Sequence, residues 1–212
     1  MDRSLARRFK SSGRSLQEYL SDPDVKRAKE EGWRSRAVYK LEEIDKKERL
    51  LKPGGFCLDL GAAPGAWSQY AARKVGAKGR VIATDILPMD GLTGVEFVQG
   101  DFREEPVVAR IVALVAGGQV DTVLSDMAPN MSGVDAIDQP RSLYLAELAL
   151  DMAERVLKRD GCALIKVFQG AGFQELVAAS RRKFARVKVW KPEASRARSP
   201  ELYLLAKGFG LV

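Results

Sequence analysis

The stretch DLGAAPGAW at residues 59–67 decides the fold, because it joins a buried strand to a helix through a glycine-rich turn. The run FCLDLG (56–61) is apolar and ends at an acidic residue and a glycine, and WSQYAARKV (67–75) has the apolar spacing of a helix. Gly61 allows a tight turn and close approach of a ligand, while Gly65 tolerates unusual backbone angles. The first amides of the helix then point toward that ligand. The stretch predicts a strand–turn–helix unit with a binding site at its turn.

The alternation of strand and helix continues along the chain. Further strand-like runs are RVIATD (80–85), VEFVQGD (95–101), VDTVLSD (120–126) and CALIKVF (162–168). Helix candidates lie at 35–50, 104–116, 141–158 and 172–184. This spacing predicts βαβ units and a parallel sheet with helices on both faces. The last two runs, RVKVW (186–190) and LYLLAKGF (202–209), have no helix between them and predict an antiparallel pair at one edge.

The composition excludes several classes of enzyme. The 212 residues contain no histidine, which removes Ser-His-Asp hydrolysis, histidine-based metal chemistry and histidine phosphotransfer. General acid–base catalysis, if the protein performs it, must therefore use Lys, Asp, Glu, Tyr or Cys side chains. Cys57 and Cys162 each lie within an apolar run, which argues against a disulfide scaffold and fits a reducing compartment. No apolar run approaches the ~20 residues that span a bilayer, so we expect a cytoplasmic protein without a membrane segment.

Positive charge is concentrated in two segments. Residues 1–40 contain 11 Lys/Arg and 6 Asp/Glu, and residues 181–198 contain 8 Lys/Arg and one Glu, whereas the rest of the chain is acidic. This distribution is typical of an enzyme that binds a polyanion, although two solvated surfaces are the alternative interpretation. We expect residues 1–34 to form a basic N-terminal arm and residues 35–212 to form one domain.

Four successive predicted strands end in aspartate, at Asp59, Asp85, Asp101 and Asp126. A single aspartate at a strand end is usually a cap or turn residue, but four at one edge are hard to explain in that way. Asp85 occupies the place where open α/β sheets hold ribose hydroxyls, and Asp101 lies within reach of an adenine edge. Pro64 and the lack of a G-x-G-x-x-G motif argue against a nicotinamide dehydrogenase. Adenosine with a positive centre and no phosphates fits best, which predicts S-adenosylmethionine.

A second group of charges is predicted at the same edge. Lys166 lies within the apolar run ALIKVF, where a charge is costly unless the side chain reaches solvent at the end of the strand. If the last strand is antiparallel, Glu201 at its start converges with Asp126 and Lys166. Lys40 on the preceding helix is a candidate to complete the cluster, although its spacing alone marks it only as an ordinary surface lysine. We expect burial, Lys40 and the sulfonium charge of the cofactor to lower the pKa of Lys166, and the two carboxylates to oppose this lowering, so the sequence does not predict its size.

Seven stretches together carry a resemblance to a known family. They are GWRSRAVYKLEEI (32–44), DLGAAPGAWSQY (59–70), TDILPMD (84–90), QGDFR (99–103), SDMAPNMSG (125–133), KVFQG (166–170) and KPEASRARSPELYLLA (191–206). Over about residues 14–207 the chain resembles the FtsJ/RrmJ family of S-adenosylmethionine-dependent RNA 2′-O-ribose methyltransferases. The resemblance implies a single Rossmann-like class I methyltransferase domain with a seven-stranded, mostly parallel sheet, an antiparallel edge strand and helices on both faces.

The resemblance also implies roles for particular residues. The family's catalytic tetrad falls on Lys40, Asp126, Lys166 and Glu201, with Lys166 as the proton acceptor. The implied cofactor-binding positions are Gly61, Pro64, Gly65, Trp67, Asp85, Asp101 and Asp126. Basic positions expected to bind RNA are Arg34, Arg36, Arg196 and Arg198. The chain departs from the family at Ala66, where relatives usually have glycine, and slight strain is expected there if the position needs a positive φ.

The implied substrate is a uridine 2′-hydroxyl in 23S ribosomal RNA of the large ribosomal subunit. We expect no metal and no membrane partner, and nothing in the sequence demands more than a monomer. Alternatives within the same chemistry are methylation of transfer RNA or of messenger RNA caps. An alternative from another class is a non-catalytic RNA-binding factor in ribosome assembly, against which the intact tetrad and the aspartates argue.

Overall fold

A sheet flanked by helices organises the chain, and the computed structural model describes residues 22–116, 120–195 and 199–212. The strands of this part are β1 (Phe56–Leu60), β2 (Arg80–Asp85), β3 (Val95–Gln99), β4 (Val120–Ser125), β5 (Leu157–Phe168), β6 (Phe184–Trp190) and β7 (Glu201–Phe209). Its helices are α1 (Pro23–Glu30), α2 (Val38–Glu48), α3 (Ala66–Val75), α4 (Glu105–Val115), α5 (Asp135–Val156) and α6 (Phe173–Arg181). Residues 1–21 of the expected basic arm lie outside the described ranges.

The strands lie in the order β3-β2-β1-β4-β5-β7-β6. All pairs among β1 to β5 are parallel, whereas β7 runs antiparallel to both β5 and β6. Within the described residues, this confirms the predicted seven-stranded, mostly parallel sheet with an antiparallel pair at one edge. Because β1 lies between β2 and β4, the strand order reverses at β1, and open α/β sheets form a ligand crevice at such a point.

Helices cover both faces of the sheet because successive side chains of a strand point to opposite sides. In β5, Ile165 packs with residues of α4, α5 and α6, whereas Leu164 packs with residues of α2 and α3. The thiols of Cys57 and Cys162 are free and buried on the α2 side. By the same alternation, Lys166 lies on the side covered by α2. No helix in the described ranges has the length and apolar character needed to cross a bilayer.

The described end of the expected arm packs onto the domain. Asp22 caps helix α1 by accepting a hydrogen bond from the amide of Asp24 at 3.0 Å. Ala28 of α1 is buried in the same cluster as α2 and α3, and Trp33 packs against that cluster. Residues 22–34 therefore contribute to the core on the α2 side, and the division at residue 35 stays a prediction.

Helix α5 is longer than the sequence predicts. It begins at Asp135 rather than at residue 141, so Pro140 lies inside the helix. The buried carboxylate of Asp138 accepts hydrogen bonds from the amides of Ser132 and Gly133, at 2.8 and 2.9 Å. These bonds order the chain before the helix and allow it to start ahead of the proline, which the sequence pattern alone treats as a boundary.

The carboxyl end of α2 is held by one buried carboxylate, that of Asp45. Its Oδ1 accepts hydrogen bonds from the amides of Leu50 and Leu51 at 2.8 and 2.9 Å, just after the helix ends. Its Oδ2 accepts a bond from the hydroxyl of Tyr70 at 3.0 Å. Asp45 therefore joins α2 to α3 and to the chain that enters β1. This connection matters for the site, because α2 carries Lys40.

We predict that Asp45→Ala lowers the free energy of unfolding by about 3 kcal/mol, because it leaves buried amides and a buried hydroxyl without an acceptor. Urea unfolding followed by tryptophan fluorescence measures the change. The matched control is Asp151→Ala, which breaks an exposed ion pair with Arg155 and should change stability by less than about 1 kcal/mol. Equal effects of the two substitutions would contradict the role of Asp45.

Candidate active site

Lys166 lies near the carboxyl end of β5, and its side chain is only 8% exposed. Its Nζ is 2.8 Å from Asp126 Oδ1 and 3.4 Å from Glu201 Oε2. It also donates a hydrogen bond to the carbonyl oxygen of Asp126 at 3.4 Å. Lys166 therefore does not extend into solvent at the strand end. It is a buried cation whose charge is matched by carboxylates from two other segments.

Glu201 brings the remaining lysine into this cluster. Glu201 begins β7 and pairs with Phe168, so the antiparallel strand places it at the carboxyl edge of the parallel strands, as predicted. Its Oε1 is 2.5 Å from Lys40 Nζ, whereas its Oε2 faces Lys166. The structure thus brings Lys40, Glu201, Lys166 and Asp126 together in one chain of contacts, and their catalytic roles stay predictions.

The charges of the cluster control one another's pKa values. Burial opposes the ionisation of Glu201, but the ammonium groups of Lys166 and Lys40 outweigh it and lower its pKa to about 2. Burial likewise disfavours the charged form of Lys166, but Asp126 and Glu201 raise its pKa above the ordinary value. This direction is opposite to the lowering expected from the sequence, because the two carboxylates outweigh burial.

Sequence reasoning missed two residues of the site, Tyr203 and Ser195. The hydroxyl of Tyr203 donates a hydrogen bond to Asp126 Oδ1 at 2.5 Å, and burial raises its pKa, so it stays a donor. The buried hydroxyl of Ser195 donates to Glu201 Oε1 at 2.8 Å. A signal for Tyr203 was available, since it follows Glu201 by two residues and therefore shares its side of the strand. Ser195 lies in a loop and carries no comparable signal.

The glycine-rich turn has the geometry that requires its two glycines. Gly61 has a φ of 73°, and a Cβ there would lie 2.2 Å from Met127 Cγ. Gly65 has a φ of 106°, and a Cβ there would lie 3.0 Å from Leu92 Cδ1. Ala66 is the first residue of α3 and does not have a positive φ. The strain considered for Ala66 is therefore absent, because the left-handed angle falls on the preceding glycine.

The aspartates at the strand ends follow the order of the strands in the sheet, from Asp101 after β3 through Asp85 and Asp59 to Asp126 after β4. Asp85 accepts hydrogen bonds from the amides of Ala63 and Leu87, both at 2.8 Å, which fixes the turn beside it. Asp59 is fully buried, and its burial raises its pKa to about 7 although Ser68 donates a hydrogen bond to it. Asp101 is paired with the guanidinium of Arg103.

Carboxyl groups at this edge of the sheet would attract a ligand with a positive centre and repel a phosphate. The edge lies where the strand order reverses, between the turn at Gly61 and the segment after Asp126; of its aspartates, Asp59 is buried and Asp101 is paired with Arg103. Trp67, an expected cofactor-binding residue, is buried, and its Nε1 donates to the carbonyl of Ala37 at 2.7 Å. Pro64 lies at the turn and its carbonyl accepts a hydrogen bond from Arg34. The described residues contain no group of three or more acidic or cysteine side chains arranged to hold a metal ion.

Two of the arginines expected to bind RNA make contacts within the protein. The guanidinium of Arg34 donates to the carbonyls of Asp90 and Gly91 at 2.7 and 2.8 Å, in addition to Pro64. That of Arg36 donates to Asp22 and to the carbonyl of Ala194, at 2.5 and 2.6 Å. Both therefore hold loops near the site in place. Their contact with RNA stays a prediction, and Arg196 and Arg198 lie outside the described residues.

Comparison with known proteins gives consistent matches. Residues 33–209 match the family described as FtsJ-like methyltransferase. The chain is 57% identical over 204 residues to "Ribosomal RNA large subunit methyltransferase E" of Legionella pneumophila (strain Corby), covering 96% of this chain and 99% of that protein. It is also 57% identical over 202 residues to the protein of the same name from Marinobacter nauticus, covering 95% of this chain and 98% of that protein. A crystal structure of a ribosomal RNA methyltransferase from Plasmodium falciparum superposes with a TM-score of 0.74 at 29% identity, covering 84% of this chain and 98% of that one.

We predict that Glu201→Gln destabilises the protein in a pH-dependent manner. The pKa of Glu201 is lowered to about 2 in the folded protein from an unfolded value of about 4.3. The stabilisation that ionised Glu201 provides is therefore complete above pH ~5 and is lost as the pH falls toward 2. At pH 7 the variant should be less stable by about 3 kcal/mol. Urea unfolding at several pH values measures the free energy of unfolding of both proteins. A difference between wild type and variant that does not become smaller below pH 4 would contradict the prediction.

Proposed function

Because the chain belongs to the FtsJ-like methyltransferase family, we propose that it transfers a methyl group from S-adenosylmethionine to the ribose 2′-hydroxyl of a uridine in 23S ribosomal RNA of the large subunit. Membership confirms the resemblance seen in the sequence, and the chain is a methyltransferase. Family membership implies the use of S-adenosylmethionine. The names of the relatives at 57% identity support ribosomal RNA of the large subunit as the substrate.

The observation that carries the proposal is the buried cluster of Lys166, Asp126, Glu201 and Lys40 beside an acidic crevice. When bound, the cofactor supplies an electrophilic methyl group. The 2′-hydroxyl is a weak nucleophile and must lose its proton as it attacks, so the protein has to align it and accept a proton. We assign proton acceptance to Nζ of Lys166, and alignment to Asp126 and Glu201, which hold both lysines in position.

The raised pKa of Lys166 shapes this mechanism. At neutral pH the side chain is mostly an ammonium ion, which holds its two carboxylate partners but cannot accept a proton. Only the small neutral fraction is competent, so this chemistry is slow at neutral pH and faster in alkaline solution.

The substrate has further consequences for the proposal. A 2′-hydroxyl distinguishes RNA from DNA, so the proposed enzyme acts on RNA only. The basic segments of the chain support binding to phosphates, and a ribosomal substrate places the activity in the cytoplasm. The protein works as a monomer in this proposal, because the four charged residues of the cluster come from one chain.

We predict that Lys166→Ala abolishes methyl transfer and retains S-adenosylmethionine binding. Transfer of tritiated methyl groups to large ribosomal subunits from a strain that lacks the enzyme measures activity, and calorimetry measures cofactor binding. The control is Lys158→Ala at the start of the same strand, where the lysine is partly exposed and paired with Asp121. Full turnover by Lys166→Ala would exclude Lys166 as the proton acceptor.

The same assay separates the alternatives for the wild-type protein. Transfer to transfer RNA but not to ribosomal subunits would redirect the proposal to that substrate. Binding of subunits with no transfer at all would favour the non-catalytic assembly factor. Transfer to an RNA with a 2′-deoxyuridine at the mapped target would show that another atom is methylated and would exclude the ribose reaction.

We predict that the single-turnover rate of methyl transfer rises with pH from 7 to 9, about tenfold for each pH unit. The sign follows from the raised pKa of Lys166, since the neutral form is the minor one throughout this range. Rapid-quench measurements with saturating cofactor and RNA record the rate of the chemical step. A rate that is constant or falls above pH 7 would show that the proton goes elsewhere.

A further inference from the structure

The outermost strand of the sheet, β6, presents basic and aromatic side chains on one of its faces. Arg186, Lys188 and Trp190 alternate along it and pair with Lys207, Leu205 and Tyr203 of β7, respectively. Paired residues of neighbouring strands share a face of the sheet. Leu205 and Tyr203 belong to the core beneath α2. The three side chains of β6 therefore lie on the α2 side, the same side as Lys166.

One buried carboxylate holds these cations in place. The side chain of Glu48, at the end of α2, is only 4% exposed and binds Lys188 Nζ at 2.8 Å, the guanidinium of Arg186, and Lys207 Nζ at 3.8 Å. Burial disfavours the charged form of Glu48, but the three cations outweigh it and lower its pKa. One negative charge therefore faces three positive ones. Arg186 and Lys188 remain about half exposed, so their charge is fixed in position and is not neutralised.

The ring of Trp190 positions two lysines beside this group. Lys47 Nζ from α2 lies 5.3 Å from the ring centroid, and Lys188 Nζ lies 5.9 Å from it. Both distances are within the range of cation–π attraction. We call Lys47, Arg186, Lys188 and Trp190 the basic edge strip. The backbone of β6 spans about 13 Å from Arg186 to Trp190, at ~3.3 Å for each residue.

The strip leads to the candidate active site. Trp190 pairs with Tyr203, which in turn pairs with Lys166, so Trp190 lies about 10 Å from β5, two strand spacings away. Beyond Trp190 the chain enters the loop in which Ser195 binds Glu201. By contrast, Arg181 and Arg182 precede β6 and lie toward the opposite end of the sheet. Within the described part of the chain, the basic segment is therefore divided, and the portion from Trp190 to Ser195 approaches the site.

We propose that the basic edge strip binds the phosphate backbone of the RNA that flanks the target nucleotide, which rests on the proposed function above. Phosphates are bound by fixed cations with release of counterions, and such contacts set the register of the RNA without reading its sequence. Because Glu48 and Trp190 already restrict these side chains, less conformational entropy is lost when a phosphate binds. The strip positions the RNA strand so that the 2′-hydroxyl reaches Lys166.

A structural role for the same charges is the competing explanation. Charged side chains on an outer strand prevent it from pairing with a second copy of the sheet. This role requires no RNA. It makes a different prediction, because neutral variants would then associate with one another and keep their affinity for RNA.

The test compares two variants that each lose two positive charges. Lys47→Gln/Lys188→Gln alters the strip and leaves Arg186 and Lys207 on Glu48. Lys78→Gln/Arg110→Gln is the matched control, since both residues are exposed and neither belongs to the strip or the site. If the double variant folds poorly, Lys47→Gln alone, which changes an exposed residue, replaces it as the strip variant. The affinity for in vitro transcribed 23S RNA is measured against salt concentration, and KM is measured with large subunits.

For the strip variant we expect about tenfold weaker RNA binding near 0.15 M salt. The slope of the logarithm of the binding constant against the logarithm of salt concentration should be shallower by about 1.4. S-adenosylmethionine affinity and the turnover number at saturating RNA should match the wild type, and the control should match it throughout. Equal RNA affinity and KM for both variants would overturn the proposal, as would self-association of the strip variant with unchanged RNA affinity. Failure of the proposed function appears separately, as a wild-type protein that binds RNA without methyl transfer.

Discussion

The requirement to balance a buried lysine determines how the active-site elements meet. Lys166 occupies a strand whose neighbouring residues are fully apolar and buried, so an ammonium ion there needs carboxylates at hydrogen-bond distance. Asp126 after β4 and Glu201 at the start of β7 supply them. This arrangement requires β7 to run antiparallel between β5 and β6, because only then does its first residue lie at the carboxyl edge. Lys40 restores charge balance on the other side of Glu201.

The same edge of the sheet combines two environments that suit two different ligands. The crevice around the glycine turn is acidic and has backbone geometry that only glycine tolerates, which suits an uncharged nucleoside with a cationic sulfur. The outer strand β6 lies four strand spacings from β1, or about 19 Å, and carries cations anchored by Glu48, which suits phosphates. The buried lysine lies between the two regions. In the proposed reaction, this separation would attract the cationic cofactor and the polyanionic substrate to different parts of the surface.

Several side chains that look available in the sequence are committed within the folded protein. Arg34 and Arg36 hold loops through carbonyl and carboxylate acceptors. Trp67 is buried, and its indole nitrogen donates to the carbonyl of Ala37. Conversely, Lys47 and Lys188 have no special status in the sequence. They become notable through their contacts with Trp190 and through their ion pairs with Glu43 and Glu48, respectively. Charge counts along a chain therefore indicate the class of ligand, whereas the three-dimensional contacts indicate which charges are free to bind it.

The sequence by itself determined the elements whose signals are local. Apolar runs of strand length, a glycine turn before a helix, and aspartates at strand ends were sufficient to predict the mostly parallel sheet and the edge that carries the site, because these features depend on neighbouring residues. The convergence of Asp126, Lys166 and Glu201 was also predictable once the last strand was taken as antiparallel, whereas Lys40 was assigned through the family resemblance. Only the tertiary structure decided the protonation of Lys166, the donors supplied by Tyr203 and Ser195, and the division of the basic segment. Each of these depends on distances between groups far apart in the chain, where burial and opposing charges compete, and their balance follows from the packed arrangement of several elements.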